Sequence, residues 1–204
     1  MSLTNLTDGE GPHVSRETLI ERYFPEKSLE IRRYADFLAE QGVLRGLIGP
    51  REGERIWERH IFNSLPVISL IPEGSEVIDI GSGAGLPGIP IALARPDIKM
   101  TLIEPLQRRV EFLTQAVSGL EITVLRGRAQ DFSIKFEVVT ARAVAPMLKL
   151  KTLSWHLLKK GGFLLAIKGE SAATEAALLP RAEVHEIELE GLLLGRVISL
   201  KKDA

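Results

Sequence analysis

The chain contains no cysteine. Disulfides, thiolate zinc sites and a cysteine nucleophile are therefore excluded from the outset. Histidine is scarce as well: His13, His60, His156 and His185 stand far apart, with none of the short spacings that present two imidazoles to one ion, so no metal is expected. No apolar run approaches the ~20 residues of a membrane-spanning helix, and no membrane contact is expected. The opening MSLTNLTDGEGPHVS is polar and acidic where a secretory leader is basic and then apolar, which points to the cytoplasm. An excess of one charge is also missing. With 26 basic against 27 acidic residues the net charge is −1, so any contact with a polyanion has to come from a local patch. Aromatic residues make up 5% of the chain and no basic segment is interleaved with them, so binding of single strands by base stacking is not expected.

What is present suits one α/β domain, since 204 residues leave little room for two. From Glu76 onward short runs of branched apolar residues alternate with helical patterns, the mark of repeated βα units and a mostly parallel sheet. Strands are expected at 76–81, 99–104, 122–127, 136–142 and 162–168. Helices are expected after the glycine-rich turn, over 106–118, over 147–159 with a stop at Gly161-Gly162, and over 171–179. The last extended runs, AEVHEIELE and GRVISLKK, read as an antiparallel hairpin at one sheet edge. Before Glu76 the pattern is helical only, at 16–23, 29–41 and 52–70. The expected division is a disordered tail over 1–14, a helical cap over 15–70 and a sheet domain over 71–204.

The stretch VIDIGSGAGLPGIP carries two overlapping signals. Gly83, Gly85 and Gly88 spell the dinucleotide fingerprint G-x-G-x-x-G, with Glu104 about 20 residues on for a ribose. Asp79, Gly81, Gly83 and Gly85 spell D-x-G-x-G-x-G, which suits S-adenosylmethionine. Glycines let a ligand approach the main chain, an acid ahead of them can receive the methionyl ammonium, and Glu104 can accept both ribose hydroxyls. In the dinucleotide reading Asp79 sits beside a pyrophosphate, where its charge is a liability. The sulfonium donor is therefore favoured, and an NAD-dependent oxidoreductase is the alternative.

After the third strand, in GRAQDF, Ala129 can pack on an adenine while Gln130 or Asp131 takes its amine, unless the segment is an ordinary polar loop. After the fourth strand, TARAVAPM lacks the Asn/Asp-Pro-Pro-aromatic element of exocyclic amine methylation, and C5 methylation needs the thiolate this chain lacks. A target that is nucleophilic without a base, such as guanine N7, remains. Arg142 is the candidate catalytic residue: it can hold a guanine O6 edge or a phosphate, bind the methionyl carboxylate, or form a salt bridge at the strand end. Arg51, Arg55 and Arg59 recur at helical spacing, either as a phosphate-binding stripe or as a face solvated beside Glu52, Glu54 and Glu58.

VIDIGSGAGLPGIPIALARPD, LIEPLQRRVEFL, GRAQDF, ARAVA, LLAIKG and ERHIFNSL together resemble the small-subunit ribosomal RNA guanine-N7 methyltransferases, also called the glucose-inhibited division protein B family. The resemblance runs from about Leu29 over most of the chain. It implies a class I methyltransferase sheet and S-adenosylmethionine bound through Gly81, Leu86, Ala129, Gln130 and Arg142, with Glu104 at the ribose. It further implies one guanosine of 16S rRNA as substrate, in the small subunit or an assembly intermediate, with His60, Lys168 and Arg196 near the site. A monomer is expected, and a non-catalytic ribosome-binding factor is the remaining alternative. Four features depart from the family pattern: EQGVLRGLIGP replaces the usual W-N-x-x-x-N-L-T connector, Asn63 stands for an acid, Ala141 stands for the serine before the arginine, and the segment between Phe132 and Phe136 is shorter than usual.

Overall fold

The computed structural model describes residues 14–203, so the expected tail over 1–14, apart from Val14, lies outside the described residues, as does His13. Seven strands form one sheet: β1 (Glu76–Ile80), β2 (Lys99–Glu104), β3 (Ile122–Arg126), β4 (Phe136–Arg142), β5 (Leu158–Lys168), β6 (Glu183–Ile187) and β7 (Gly195–Lys201). Their order is β3-β2-β1-β4-β5-β7-β6. Strands β1 to β5 are parallel, while β7 runs antiparallel to both β5 and β6, which makes the expected edge hairpin. The strand order reverses between β1 and β4, and a crevice opens at the carboxyl ends of strands where such a reversal occurs.

Side-chain alternation assigns the two faces. Val77, Val138 and Val197 join the core layer that holds the N-terminal segment and the helices α3 (Gly88–Ala94) and α4 (Gln107–Ala116). Ile78, Val139 and Ile198 face the other layer, with α5 (Met147–Ser154) and α6 (Ala172–Ala176). Covered on both sides, the central strands are buried almost throughout, which explains runs such as VVTA that show no polar alternation.

The N-terminal segment begins with α1 (Arg16–Tyr23), whose first turn is capped by Ser15 Oγ accepting the Thr18 N–H at 3.1 Å. Helix α2 (Ser28–Phe37) follows and widens into a π turn over Leu38–Gly42. Ile20, Phe24, Ile31, Tyr34 and Leu38 from this segment share one buried cluster with Val77 of β1 and with Ile89 and Ile91 of α3. The continuous helix expected over 52–70 does not form. Its place is taken by a 3₁₀ turn (Pro50–Arg55), a π turn (Trp57–Ile61) and two more 3₁₀ turns (Phe62–Ser64, Pro66–Leu70). Two causes are visible: Pro66 has no N–H to continue a ladder, and the carbonyls of Arg59 and His60 are drawn to the side chain of Arg142 instead. Successive residues of a 3₁₀ turn are rotated by about 120°, so Arg51 and Arg55 fall on different faces and the single helical stripe is replaced by separate arginines.

One other boundary moves. Helix α5 stops at Ser154, and β5 already starts at Leu158, before the glycine pair read as a helix stop. A side chain at Gly162 would lie 2.6 Å from the Glu137 carbonyl oxygen, so this glycine allows β5 to press against β4.

Candidate functional site

Strand β1 ends at Ile80 and runs directly into a turn in which Gly81, Gly83 and Gly85 have φ of 66°, 58° and 97°. Only glycine adopts that region without strain, which is why the ladder alternates as it does. A Cβ at Gly81 would lie 3.0 Å from Val144 Cγ2, so this turn and the loop after β4 close on each other. Two buried acids brace the turn. Glu104, 1% exposed at the end of β2, accepts the Gly83 N–H and the Leu106 N–H, each at 3.0 Å. Asp79 accepts the Gly88 N–H at 3.3 Å on one carboxylate oxygen and the Thr140 hydroxyl at 3.2 Å on the other. It is completely enclosed, and burial pushes its pKa up to about 7 against the relief given by these donors. Helix α2 contributes a third brace, since the buried Tyr34 hydroxyl donates to the Ala84 carbonyl at 2.9 Å.

Opposite the turn stands Arg142, the last residue of β4. Its guanidinium donates to the His60 carbonyl, Ser64 Oγ, the Arg59 carbonyl and His60 Nδ1, each at 3.1 Å. Because a guanidinium can only donate, Nδ1 is the acceptor and the His60 proton sits on Nε2. His60 is 7% exposed; burial and the Arg142 charge lower its pKa, so the ring is neutral. Nε2 makes no hydrogen bond and stands 3.5 Å from Glu52 Oε2. Glu52 in turn accepts the Gly49 N–H at 3.0 Å, which holds its carboxyl below the usual range and keeps it charged.

These groups enclose a cavity of about 230 Å³ whose walls include Gly81, Gly83, Leu86, Ile48, His60 and Arg142. Glu52, Arg109 and Ala143 complete its polar and strained rim: the Arg109 guanidinium lies 3.6 Å from Glu104, its Nε has no partner, and Ala143 has a φ of 55°. A larger cleft of about 510 Å³ lies at the opposite end of the sheet, against the strand starts Glu76, Lys99, Ile122 and Phe136. Volume alone therefore does not mark the site; the strand-order reversal does.

The other residues singled out in the sequence are distributed around this centre. Ala129 and Gln130 form a 3₁₀ turn beyond β3, where Asp131 accepts the Arg128 N–H at 2.7 Å. Lys168, with a side chain 11% exposed, bonds the Ala145 carbonyl and the Glu175 carboxylate, both at 2.8 Å, and so ties down the loop after β4. Arg196 pairs with Glu186 at 2.8 Å. Arg51 and Arg55 are exposed; Arg55 lines a separate cleft with Arg16 and Leu193, while Arg59 points toward Glu52 at 4.0 Å. Tyr34, Glu52, Ser64 and Arg109 were not singled out, because their parts in the site come from long-range contacts with no local pattern. Among the described residues, no group of three or more His, Asp or Glu side chains is placed to hold a metal ion. None of the described helices is long and apolar enough to cross a membrane.

The turn fits an S-adenosyl donor: three left-handed glycines leave main chain open to approach, and the residues that carry the unpartnered His60 Nε2 and Arg109 Nε line the cavity. A family model described as rRNA small subunit methyltransferase G matches residues 27–191. A relative from Mycobacterium sp. (strain JLS), named ribosomal RNA small subunit methyltransferase G, is 51% identical over 170 residues, covering 80% of this chain and 76% of the relative. Among solved structures, a methyltransferase from Pyrococcus furiosus aligns with a TM-score of 0.52 at 13% identity, covering 69% of this chain and 81% of that one. TYW2 from M. jannaschii, in complex with AdoMet, aligns with a TM-score of 0.53 at 18% identity, covering 70% and 74%. The fold is that of the class I methyltransferases, and the dinucleotide reading of the glycine turn falls away. The chain belongs to the rRNA small subunit methyltransferase G family.

Proposed function

We propose that this chain transfers the methyl group of S-adenosylmethionine to N7 of one guanosine in 16S rRNA. The observation that supports this most is the convergence of the glycine turn after β1 with Arg142 and His60 on one cavity, in a chain of this family. The donor supplies an electrophilic methyl on a sulfonium. The chain supplies position, charge and exclusion of water. Gly81, Gly83 and Gly85 offer main chain to the donor and Leu86 walls it in. Glu104 keeps one lone-pair direction on each oxygen for the ribose hydroxyls, while Ala129 and Gln130 flank the adenine. Asp79 acts from behind the turn, fixing Gly88 and lending negative charge toward the methionyl ammonium. Arg142 is a positioning residue that holds His60 and the turns from Arg59 to Ser64 in register.

The same reading assigns Arg51, Arg55 and Arg59, with His60, Lys168 and Arg196, to the side that meets RNA. It takes 15–70 as a cap and 71–204 as the methyltransferase domain. The protein acts in the cytoplasm, without metal, as a monomer, on the small subunit or an assembly intermediate.

Tritiated S-adenosylmethionine should label a single guanosine at N7 when the protein meets small subunits from cells lacking this activity. Absence of transfer alongside intact subunit binding would leave a ribosome-binding factor in its place.

A further inference from the structure

The His60 imidazole and the Glu52 carboxylate stand side by side on the cap wall of the cavity, with the Nε2 donor 3.5 Å from the Oε2 acceptor. We propose that this pair reads the lactam edge of the target guanine, His60 Nε2–H donating to O6 and Glu52 accepting from N1–H. The inference rests on the proposed methylation of guanine N7 and adds the residues that select the base.

Three observations carry it. First, the tautomer of His60 is not free: Arg142 occupies Nδ1 from 3.1 Å, so the proton stands on Nε2 and points away from the arginine. Second, that N–H is a buried donor that makes no well-formed hydrogen bond, with Glu52 Oε2 3.5 Å away, in a side chain only 9% exposed, and a buried donor is costly to leave poorly paired unless a ligand answers it. Third, Glu52 is the one carboxylate among the residues lining the cavity. Its Oε2 is used by the Gly49 N–H, whereas Oε1 meets only the Arg59 guanidinium at 4.0 Å.

The depth of the two groups sets the order of contacts. His60 is deep in the wall and Glu52 is half-exposed at the rim. A guanine entering with N7 toward the donor has O6 as the next group along its edge and N1–H beyond it. Acceptor thus meets His60 and donor meets Glu52. An adenine held with N7 in the same place would turn an amine toward the His60 N–H and a bare N1 toward the carboxylate, leaving both groups opposed. A site that hydrogen-bonds one polar pattern rejects the reversed one strongly.

Glu52 also has a part in the reaction. The N7 lone pair forms the new C–N bond as the S–C bond breaks, and its electron pair stays on sulfur. No proton leaves. The positive charge passes from the sulfonium to the purine, where it makes N1–H a better donor, so the bond to Glu52 strengthens on the way to the transition state. An interaction that grows in this way raises kcat and not only binding.

The test uses the whole protein with small subunits reconstituted on 16S rRNA carrying guanosine, inosine or 2-aminopurine at the labelled position. Inosine keeps O6 and N1–H and should be methylated within threefold of guanosine; 2-aminopurine lacks both and should fall at least a hundredfold. Glu52→Gln keeps an oxygen for the Gly49 N–H, so its melting temperature should stay with the wild type. Its kcat should fall about a hundredfold, while affinities for S-adenosylhomocysteine and for subunits change less than threefold. An unchanged kcat in Glu52→Gln, or full activity on 2-aminopurine, overturns the inference and leaves N7 methylation standing. A weakened S-adenosylhomocysteine affinity in Glu52→Gln also overturns it, because Glu52 would then face the methionyl ammonium. A wild-type protein that leaves guanosine unmethylated defeats the functional reading itself.

Discussion

Where the chain leaves β1, the shape of the cavity is written into the backbone, because each bend falls on a glycine and each acid behind it is buried against an N–H. The facing wall, Pro50 to Leu65, has no such local code: a run of 3₁₀ and π turns takes its form from side chains elsewhere, Arg142 above all. In the proposed function the sheet wall is a socket for a donor that is always the same molecule. The cap wall, in the same proposal, meets a base that must be chosen from four, and it is built from groups whose protonation and tautomer can be set by neighbours. On that reading, mutation on one wall should affect the cofactor and on the other the substrate, with Arg142 spanning the two.

Replacing that bridge should have the largest effect. Arg142→Ala leaves the carbonyls of Arg59 and His60 short of a partner and frees the His60 tautomer. Stability should fall by about 3 kcal/mol in urea denaturation, and methyl transfer should drop to background. Arg142→Ala with wild-type stability would mean that the cap wall shapes itself.

Glu104→Ala tests the socket alone. Loss of the acceptor for Gly83 and Leu106 and of both ribose contacts should weaken S-adenosylhomocysteine about a hundredfold by calorimetry, with subunit binding unaltered. If subunit binding falls equally, the two walls do not act separately.

Asp79 allows the socket to be probed by pH. Its folded-state pKa, about 7, lies above the value of an unfolded aspartate near 3.8, so the folded form holds its proton more tightly. The stability this confers is complete below about pH 4 and is lost as pH rises toward 7. Asp79→Asn should therefore become progressively more stable than wild type across that window, and level with it at the acid end. A gap that stays constant with pH would show that Asp79 does not titrate there.

The smallest effect is expected at the outer edge of the cap. Arg55→Glu, at an exposed position, should raise the KM for subunits several-fold, more at low salt than at high, and leave cofactor affinity intact. No change would mark Arg55 as a solvated charge.

This same contrast decides what the sequence discloses. The parallel sheet, the antiparallel edge hairpin and the glycine turn could all be read from short stretches of sequence, because strand burial and left-handed backbone leave local signatures. Residues 52–70 looked like one helix because their apolar spacing suits a helix, and nothing nearby shows that an arginine at the end of β4 will take two of its carbonyls. Glu52 looked like a counter-ion in a mixed-charge segment for the same reason. Gly162 was misread in the opposite direction: a glycine pair after a helical pattern resembles a stop, but here it relieves a collision with the Glu137 carbonyl.

The staple between Arg142 and His60 joins residues 82 positions apart. During synthesis the cap sequence therefore emerges long before the strand that completes it, and until β4 arrives the carbonyls it will claim remain with water. On the proposed reading the receptor for the base is finished late, after the fourth strand has emerged. A nascent chain interrupted before that point would, on the same reading, carry the glycine socket without the means of choosing a nucleotide.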